Sequence, residues 1–436
     1  MAFRCKRIEY RLRAANPQPQ FGRYSALTSV SRPRLPALTG LRAIAAFWVL
    51  MLHYGDAVTS GWPRALRHLF SSGFIGVDLF FVLSGFILSW NYLSDDRSLP
   101  EGRRLTEGSS LTVTPKEFWR ARAARILPVY YVSLALALPV FLLMQFQSGI
   151  TPVAIRSAIV TAATTLTLTQ AWVSPFSYLW NNPGWSLSVE VFLYLSFPYV
   201  ARWLTRKPLK QVLRGAAATY AITIAAALFF AAFHPHSTPW KWEPVQDFCI
   251  WISWVGCNPL AHFHELLMGS VAFLWLRAEQ TGVRQEFLDG PKAVLISGVA
   301  LIALLVWRGP MPLMAALMGV YSPLFALLIY GLAKQRGVVA QMLSTRAFVF
   351  LGEISFSLYL THLIVWWNVD GYNLEHHLIK PGSALNFFVC VAISLALSTL
   401  LYKGIEIPYR KTLRQHWSRI QDTGPLSPLV VHSAAE

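Results

Sequence analysis

The residues best placed for chemistry in this chain are ionisable groups set inside apolar runs. The stretch Leu38 to Val58 (LTGLRAIAAFWVLMLHYGDAV) is almost wholly apolar and about 20 residues long, the length of a membrane-spanning helix. It nevertheless carries Arg42 near its start and His53 eleven residues later. Eleven residues make three helical turns, so the two side chains share one face, about 16 Å apart along the axis. A guanidinium holds anions through paired N–H donors, and an imidazole exchanges a proton near neutral pH. Taken singly, Arg42 fits an interfacial anchor and His53 a satisfied polar group. As a pair on one face, in a setting where buried charge is costly, they point to a function.

Composition describes the element class that must hold them. Hydrophobic residues are 54% of 436 and charged residues only 14%, against about 25% charged in a soluble domain. Mean hydropathy is +0.42. The net charge of +17 is no sign of nucleic acid, because its distribution follows a membrane pattern. The four cysteines (Cys5, Cys249, Cys257, Cys390) are too few for a disulfide framework and lack metal-ligand spacing. No metal centre is expected.

Residues 1–37 hold eight Lys/Arg against one acid, interspersed with Pro and Gln, and read as a flexible basic cytoplasmic arm. The apolar run that follows is too long for a signal-peptide core and is expected to remain as an uncleaved first span. Further spans are expected at 73–93, 124–146, 185–204, 213–233, 258–277, 292–307, 312–333, 347–369 and 384–407. With a cytoplasmic amino terminus, the cytoplasmic segments carry 31 Lys/Arg and the opposite loops six, as the positive-inside rule requires. The expectation is an all-α polytopic membrane protein with about ten transmembrane helices and both termini cytoplasmic. Its parts are the arm 1–37, a transmembrane domain 38–410 and a short tail 411–436. The Thr-rich segment 153–172 is expected to lie as an amphipathic or re-entrant helix on the outer side, since an eleventh span would invert the charge pattern.

This topology gives each intramembrane polar group a depth. His53, Asp78, Glu190, His262, His264, Glu265 and His362 come from five spans and are all expected in the outer third of the bilayer, around one polar cavity. Arg42, Arg120, Arg122 and Arg125 mark the opposite rim.

These residues also carry a resemblance. Arg42 and His53 match the Arg-x10-His signature of the membrane-bound acyltransferase 3 family, and Gly73 to Leu88 (GFIGVDLFFVLSGFIL) is similar to its FFxLSGF segment. FWRARAARILPVY (Phe118 to Tyr130) carries its Arg-x-x-Arg motif at Arg122 and Arg125. NNPGWSLSVEVFLY (Asn181 to Tyr194) resembles its WSLxxE motif, with Glu190 as the acid. LGEISFSLYLTH (Leu351 to His362) follows its penultimate-span pattern, with Phe356 where a Tyr is common. The motifs run in family order over roughly residues 36–410, in the form without an appended hydrolase-like domain.

The resemblance implies an O-acyltransferase, commonly an O-acetyltransferase, of a cell (cytoplasmic) membrane. Acyl-CoA, commonly acetyl-CoA, is then the donor substrate, with no permanently bound cofactor. The acceptor is a hydroxyl of a carbohydrate or a glycosylated lipid, as in polysaccharide modification. In this reading Arg42, Arg122 and Arg125 bind the donor phosphates. The roughly 16 Å from Arg42 to His53 is comparable to an extended pantetheine arm. His53 is the general base, with direct transfer and an acyl-histidine intermediate both open. Glu190 is the first choice to orient or stabilise the imidazole. Asp78 and His362 are second choices, and Asp78, Glu265 and His362 support the polar cavity. A proton-coupled transporter or flippase is the rival reading, but the chain shows no internal repeat and no matched broken helices.

Overall fold

A computed structural model of the chain describes residues 33–93, 111–173, 176–233, 252–306 and 312–412. Most of the expected basic arm, most of the tail, Cys5 and Cys249 lie outside the described residues. Eleven longer helices follow one another: α1 (Pro36–Tyr54), α2 (Ile75–Tyr92), α3 (Pro115–Phe146), α4 (Pro152–Leu166), α5 (Gly184–Arg206), α6 (Leu209–Phe233), α7 (Phe263–Gln280), α8 (Gly290–Val306), α9 (Ser322–Ala333), α10 (Arg346–His376) and α11 (Ala384–Leu401). Among the described residues the only β pairing is one isolated bridge, Leu93 to Leu111.

Helical structure stands at all ten expected positions. Among the described residues seven stretches are both long and apolar enough to cross a membrane: α1, α2, α3, α6, Met314–Ala333, α10 and Ala384–Thr412. The other three expected spans, α5, α7 and α8, are helical without meeting both conditions. α8 is 17 residues long, and α7 carries His264, Glu265, Arg277 and Glu279 within 18. α4 has 15 residues, about 22 Å, short of the roughly 30 Å of a hydrocarbon core.

Local chemistry accounts for where the functional helices begin and break. Thr114 accepts from the Glu117 N–H while the Glu117 carboxylate accepts from the Thr114 N–H, and Pro115 opens the helix; this capping box starts α3 well before the expected residue 124. Arg122, which the expected bounds leave just outside the span, therefore lies on the same helix as Arg125. The expected span 312–333 is broken at Gly319, whose φ of +74° separates a short helix (Leu313–Leu317) from α9. α11 continues through a π turn, Tyr402–Glu406, which advances the chain by one extra residue and turns the segment holding Arg410.

Buried apolar residues at Leu38, Leu41, Ala45 and Val49 of α1, and at Ile75, Leu79, Val82 and Phe86 of α2, follow the helical repeat and enter one core. Lipid tails are as apolar as leucine, so tight contact between helices depends on close backbone approach. Two of the helix pairs that do this through glycine position the site. A Cβ on Gly352 of α10 would stand 1.8 Å from the Thr39 carbonyl oxygen of α1. One on Gly269 of α7 would stand 1.9 Å from the Val82 carbonyl oxygen of α2. The first pair brings His53 to His362, and the second brings Asp78 to Glu265.

Candidate active site

The ionisable groups expected in one outer layer fall into three neighbourhoods. The first joins α1 and α10. His362 Nε2 lies 3.2 Å from His53 Nδ1, and the two rings are 4.9 Å apart. His362 is 1% exposed and His53 half-buried. The acceptors around them assign the protons. His362 Nδ1 faces the Tyr359 carbonyl oxygen at 2.7 Å, so in the neutral ring that nitrogen carries the hydrogen and Nε2 is a bare acceptor. His53 Nδ1 faces both that acceptor and the Val49 carbonyl oxygen at 2.9 Å, so it too carries its hydrogen. The lone pair of His53 is thereby placed on Nε2, and the His362 ring holds it there. The Tyr54 hydroxyl donates to the His362 carbonyl oxygen and fastens the same two helices.

The second neighbourhood gathers the arginines. Arg122 donates to the Tyr92 hydroxyl at 2.7 Å, and its guanidinium lies over the rings of Tyr92 and Tyr194, 5.2 and 5.8 Å from their centres. Tyr194 donates to Glu190, which also accepts from Ser84 at 3.5 Å. Arg42, Arg125 and Arg410 lie within electrostatic reach of one another, with Glu190 and Glu406 beside them. Arg410 is tied to Glu406 at 3.3 Å. Glu190 thus stands among guanidinium groups and hydroxyls. His362, not Glu190, is hydrogen-bonded to His53. The third neighbourhood, Asp78 with His262 and Glu265, is buried on the α2–α7 side.

Tyr194, Tyr92 and Arg410 have no place in the sequence reading. Tyr194 was findable, because it lies one helical turn after Glu190. Tyr92 sits at the far end of α2 and Arg410 beyond the π turn, and no spacing connects either to Arg122. Cys257 is reduced and buried, with its sulfur against the Tyr178 hydroxyl at 2.6 Å.

The apolar helices make the chain a multi-pass membrane protein, and the imidazole pair and guanidinium cluster give it groups suited to group transfer. The acyltransferase 3 family model, described as an acyltransferase domain, matches residues 35–403. Acyltransferase MdmB of Streptomyces mycarofaciens is 31% identical over 395 residues, covering 87% of this chain and 92% of that protein. A Staphylococcus aureus (strain COL) protein named "Putative O-acetyltransferase SACOL0978" is 23% identical over 395 residues, covering 86% of this chain and 57% of its own length. "Protein 2 in picA locus" of Rhizobium radiobacter is 30% identical over 213 residues, covering 45% of this chain and 96% of that protein. No solved structure matches. The chain belongs to the acyltransferase 3 family and is a membrane O-acyltransferase.

Proposed function

We propose that the protein moves an acyl group, acetyl in the first instance, from cytoplasmic acyl-CoA to a hydroxyl of a carbohydrate or glycosylated acceptor at the outer side of the cytoplasmic membrane. In this reading ten helices cross the membrane, both termini are cytoplasmic, and α4 lies on the outer side. One observation carries the proposal. His53 presents its free Nε2 three turns along a continuous helix from Arg42, which sits in the guanidinium cluster.

Phosphates of coenzyme A fit the cluster of Arg42, Arg122, Arg125 and Arg410. Arg122 Nε is buried with no hydrogen-bond partner among the described residues, a donor available to a phosphate oxygen. The pantetheine arm then reaches along α1, and the thioester carbonyl arrives near His53. There Nε2 takes the proton of the acceptor hydroxyl, the oxygen attacks the carbonyl carbon, and the C–S bond breaks. The departing thiolate takes the proton back from the imidazolium, regenerating neutral His53. Attack by Nε2 itself, giving an acyl-histidine that the hydroxyl then cleaves, uses the same geometry.

His362 is a positioning residue in this scheme. His362→Ala removes one buried hydrogen bond worth about 1.5–3 kcal/mol once the imidazole of His53 becomes charged, so kcat should fall about 10- to 100-fold. KM for acyl-CoA should hardly change, and the acid limb of the pH–rate profile should move. A normal kcat with a raised KM would remove His362 from the proton path.

Topology is open to a direct check. Reporter fusions at residues 100, 208 and 340 should read cytoplasmic and those at 65, 165 and 240 external; a cytoplasmic reading at 165 would make α4 a span and reverse the depths assigned after it. Mass spectrometry of surface glycans with and without the gene tests the function itself. Loss of O-acyl groups is expected, and an unchanged glycan profile would count against a carbohydrate acceptor.

A further inference from the structure

Asp78, His262 and Glu265 form a second chemical site, separate from the His53–His362 pair. Local spacing announces only part of it: His262, in the 3-10 turn Pro259–His262 that leads into α7, and Glu265 of α7 are three residues apart, whereas Asp78 comes from α2. Their ligand atoms all lie within 4.8 Å of one another. Exposure is 2% for Asp78 and 0% for both His262 and Glu265. Aromatic rings wall the site, with Phe81 4.9 Å and Trp185 5.7 Å from the His262 ring.

The hydrogen-bonding partners leave the site short of positive charge. His262 Nε2 faces the Gly256 carbonyl oxygen at 2.8 Å, so a neutral ring carries its hydrogen there and Nδ1 is a bare lone pair. That lone pair lies 3.1 Å from Glu265 Oε2, itself an acceptor. The Asp78 and Glu265 carboxyl groups lie within hydrogen-bonding reach of each other, and Asp78 Oδ2 and Glu265 Oε1 are both buried with no hydrogen-bond partner among the described residues. No lysine or arginine among the described residues forms an ion pair with either carboxyl group. The two nitrogens of His264 face the carbonyl oxygens of Ala261 and Gly319 at 3.0 and 3.3 Å, not the carboxyl groups. Gly319 keeps the space clear: a Cβ there would stand 2.1 Å from Glu265 Oε1.

We propose that Asp78, His262 and Glu265 bind one divalent cation of the zinc or manganese class, which ties α2 to α7. Two carboxylates and one neutral imidazole are balanced by a charge of two. The mixed nitrogen and oxygen set suits these ions. Two ligands of one ion at about 2.0–2.2 Å stand about 3.0–3.5 Å apart; the 3.1 Å between Nδ1 and Oε2 falls in that interval, and the remaining separations, within 4.8 Å, shorten when the ion binds. The unpartnered second oxygens of Asp78 and Glu265 can complete the coordination. Burial and closure make the site structural.

The test uses the full-length protein purified in detergent without chelator. Elemental analysis should find about one equivalent of zinc or manganese per chain. After stripping with a chelator, titration with Co²⁺ should restore visible absorption of the kind given by nitrogen and oxygen ligands, without a thiolate charge-transfer band. Asp78→Asn and Glu265→Gln should each weaken Zn²⁺ binding at least tenfold, while His53→Ala keeps it. Chelation should lower the Tm of the wild type and leave that of the Asp78→Asn, Glu265→Gln double variant unchanged. Wild-type protein that is metal-free as purified and binds neither Zn²⁺ nor Mn²⁺ would overturn the proposal, leaving protons to bridge the carboxyl groups. Metal that persists in both single variants would place the ion elsewhere and overturn it equally.

Discussion

His53→Ala should abolish acyl transfer while expression and membrane insertion stay near those of the wild type. The side chain is half-buried near the carboxyl end of α1, and among the described residues its side-chain hydrogen-bond partner is His362. Removing it opens no large apolar cavity, and the α1–α10 contact made by Gly352 against Thr39 lies more than three turns away along α1. The loss should therefore be chemical. A group that exchanges a proton in the transition state supplies about 10²–10⁴-fold in rate, and an acylated nucleophile supplies more. Activity retained at a tenth of wild type would show that His53 is neither. The His53→Ala, His362→Ala double variant should be no slower than His53→Ala alone, because His362 acts through His53.

The second large effect should fall on donor binding. Arg125 lies among Arg42, Arg410, Glu190 and Glu406, and Arg122 is braced by Tyr92 and Tyr194. If these guanidinium groups hold coenzyme A phosphates, Arg125→Ala or Arg122→Ala removes a charge-assisted hydrogen bond of about 1.5–3 kcal/mol. Kd for acyl-CoA should rise about 10- to 100-fold. Lysine at either position should rescue only partly, since an ammonium keeps the charge and loses the two-pronged fork. Arg410→Ala should behave like Arg125→Ala, and His53→Ala should bind donor almost normally. Direct acyl-CoA binding to purified protein separates these outcomes. Normal binding by the arginine variants together with lost binding by His53→Ala would move the donor site away from the cluster.

The Arg42–His53 pair was legible in the sequence because both residues lie on one helix, where the 3.6-residue repeat alone fixes their shared face. The helix positions were legible for a similar reason, since each is a local apolar run. Depth was less so. Counting residues into a span assumes that spans begin where hydropathy begins, and α3 instead starts at the Thr114–Glu117 capping box, which extends the helix back beyond Arg122. Glu190 and His53 were assigned one layer by that same counting, yet Glu190 faces the arginines of other helices. The contact between His53 and His362 depends on how α1 packs against α10, which no sequence period encodes. Arg410 reaches the cluster through a π turn, a one-residue irregularity with no compositional mark. The Asp78–His262–Glu265 site depends likewise on the glycine contacts between α2 and α7.

The central claim, transfer across the bilayer through His53, is tested most directly with sealed membrane vesicles whose cytoplasmic face receives acetyl-CoA labelled in the acetyl group. Wild-type vesicles should place label, as ester that hydroxylamine releases, in material on the opposite face, and vesicles carrying His53→Ala should place none there. Equal labelling by the His53→Ala vesicles, or ester label confined to the face that received the donor, would contradict the account.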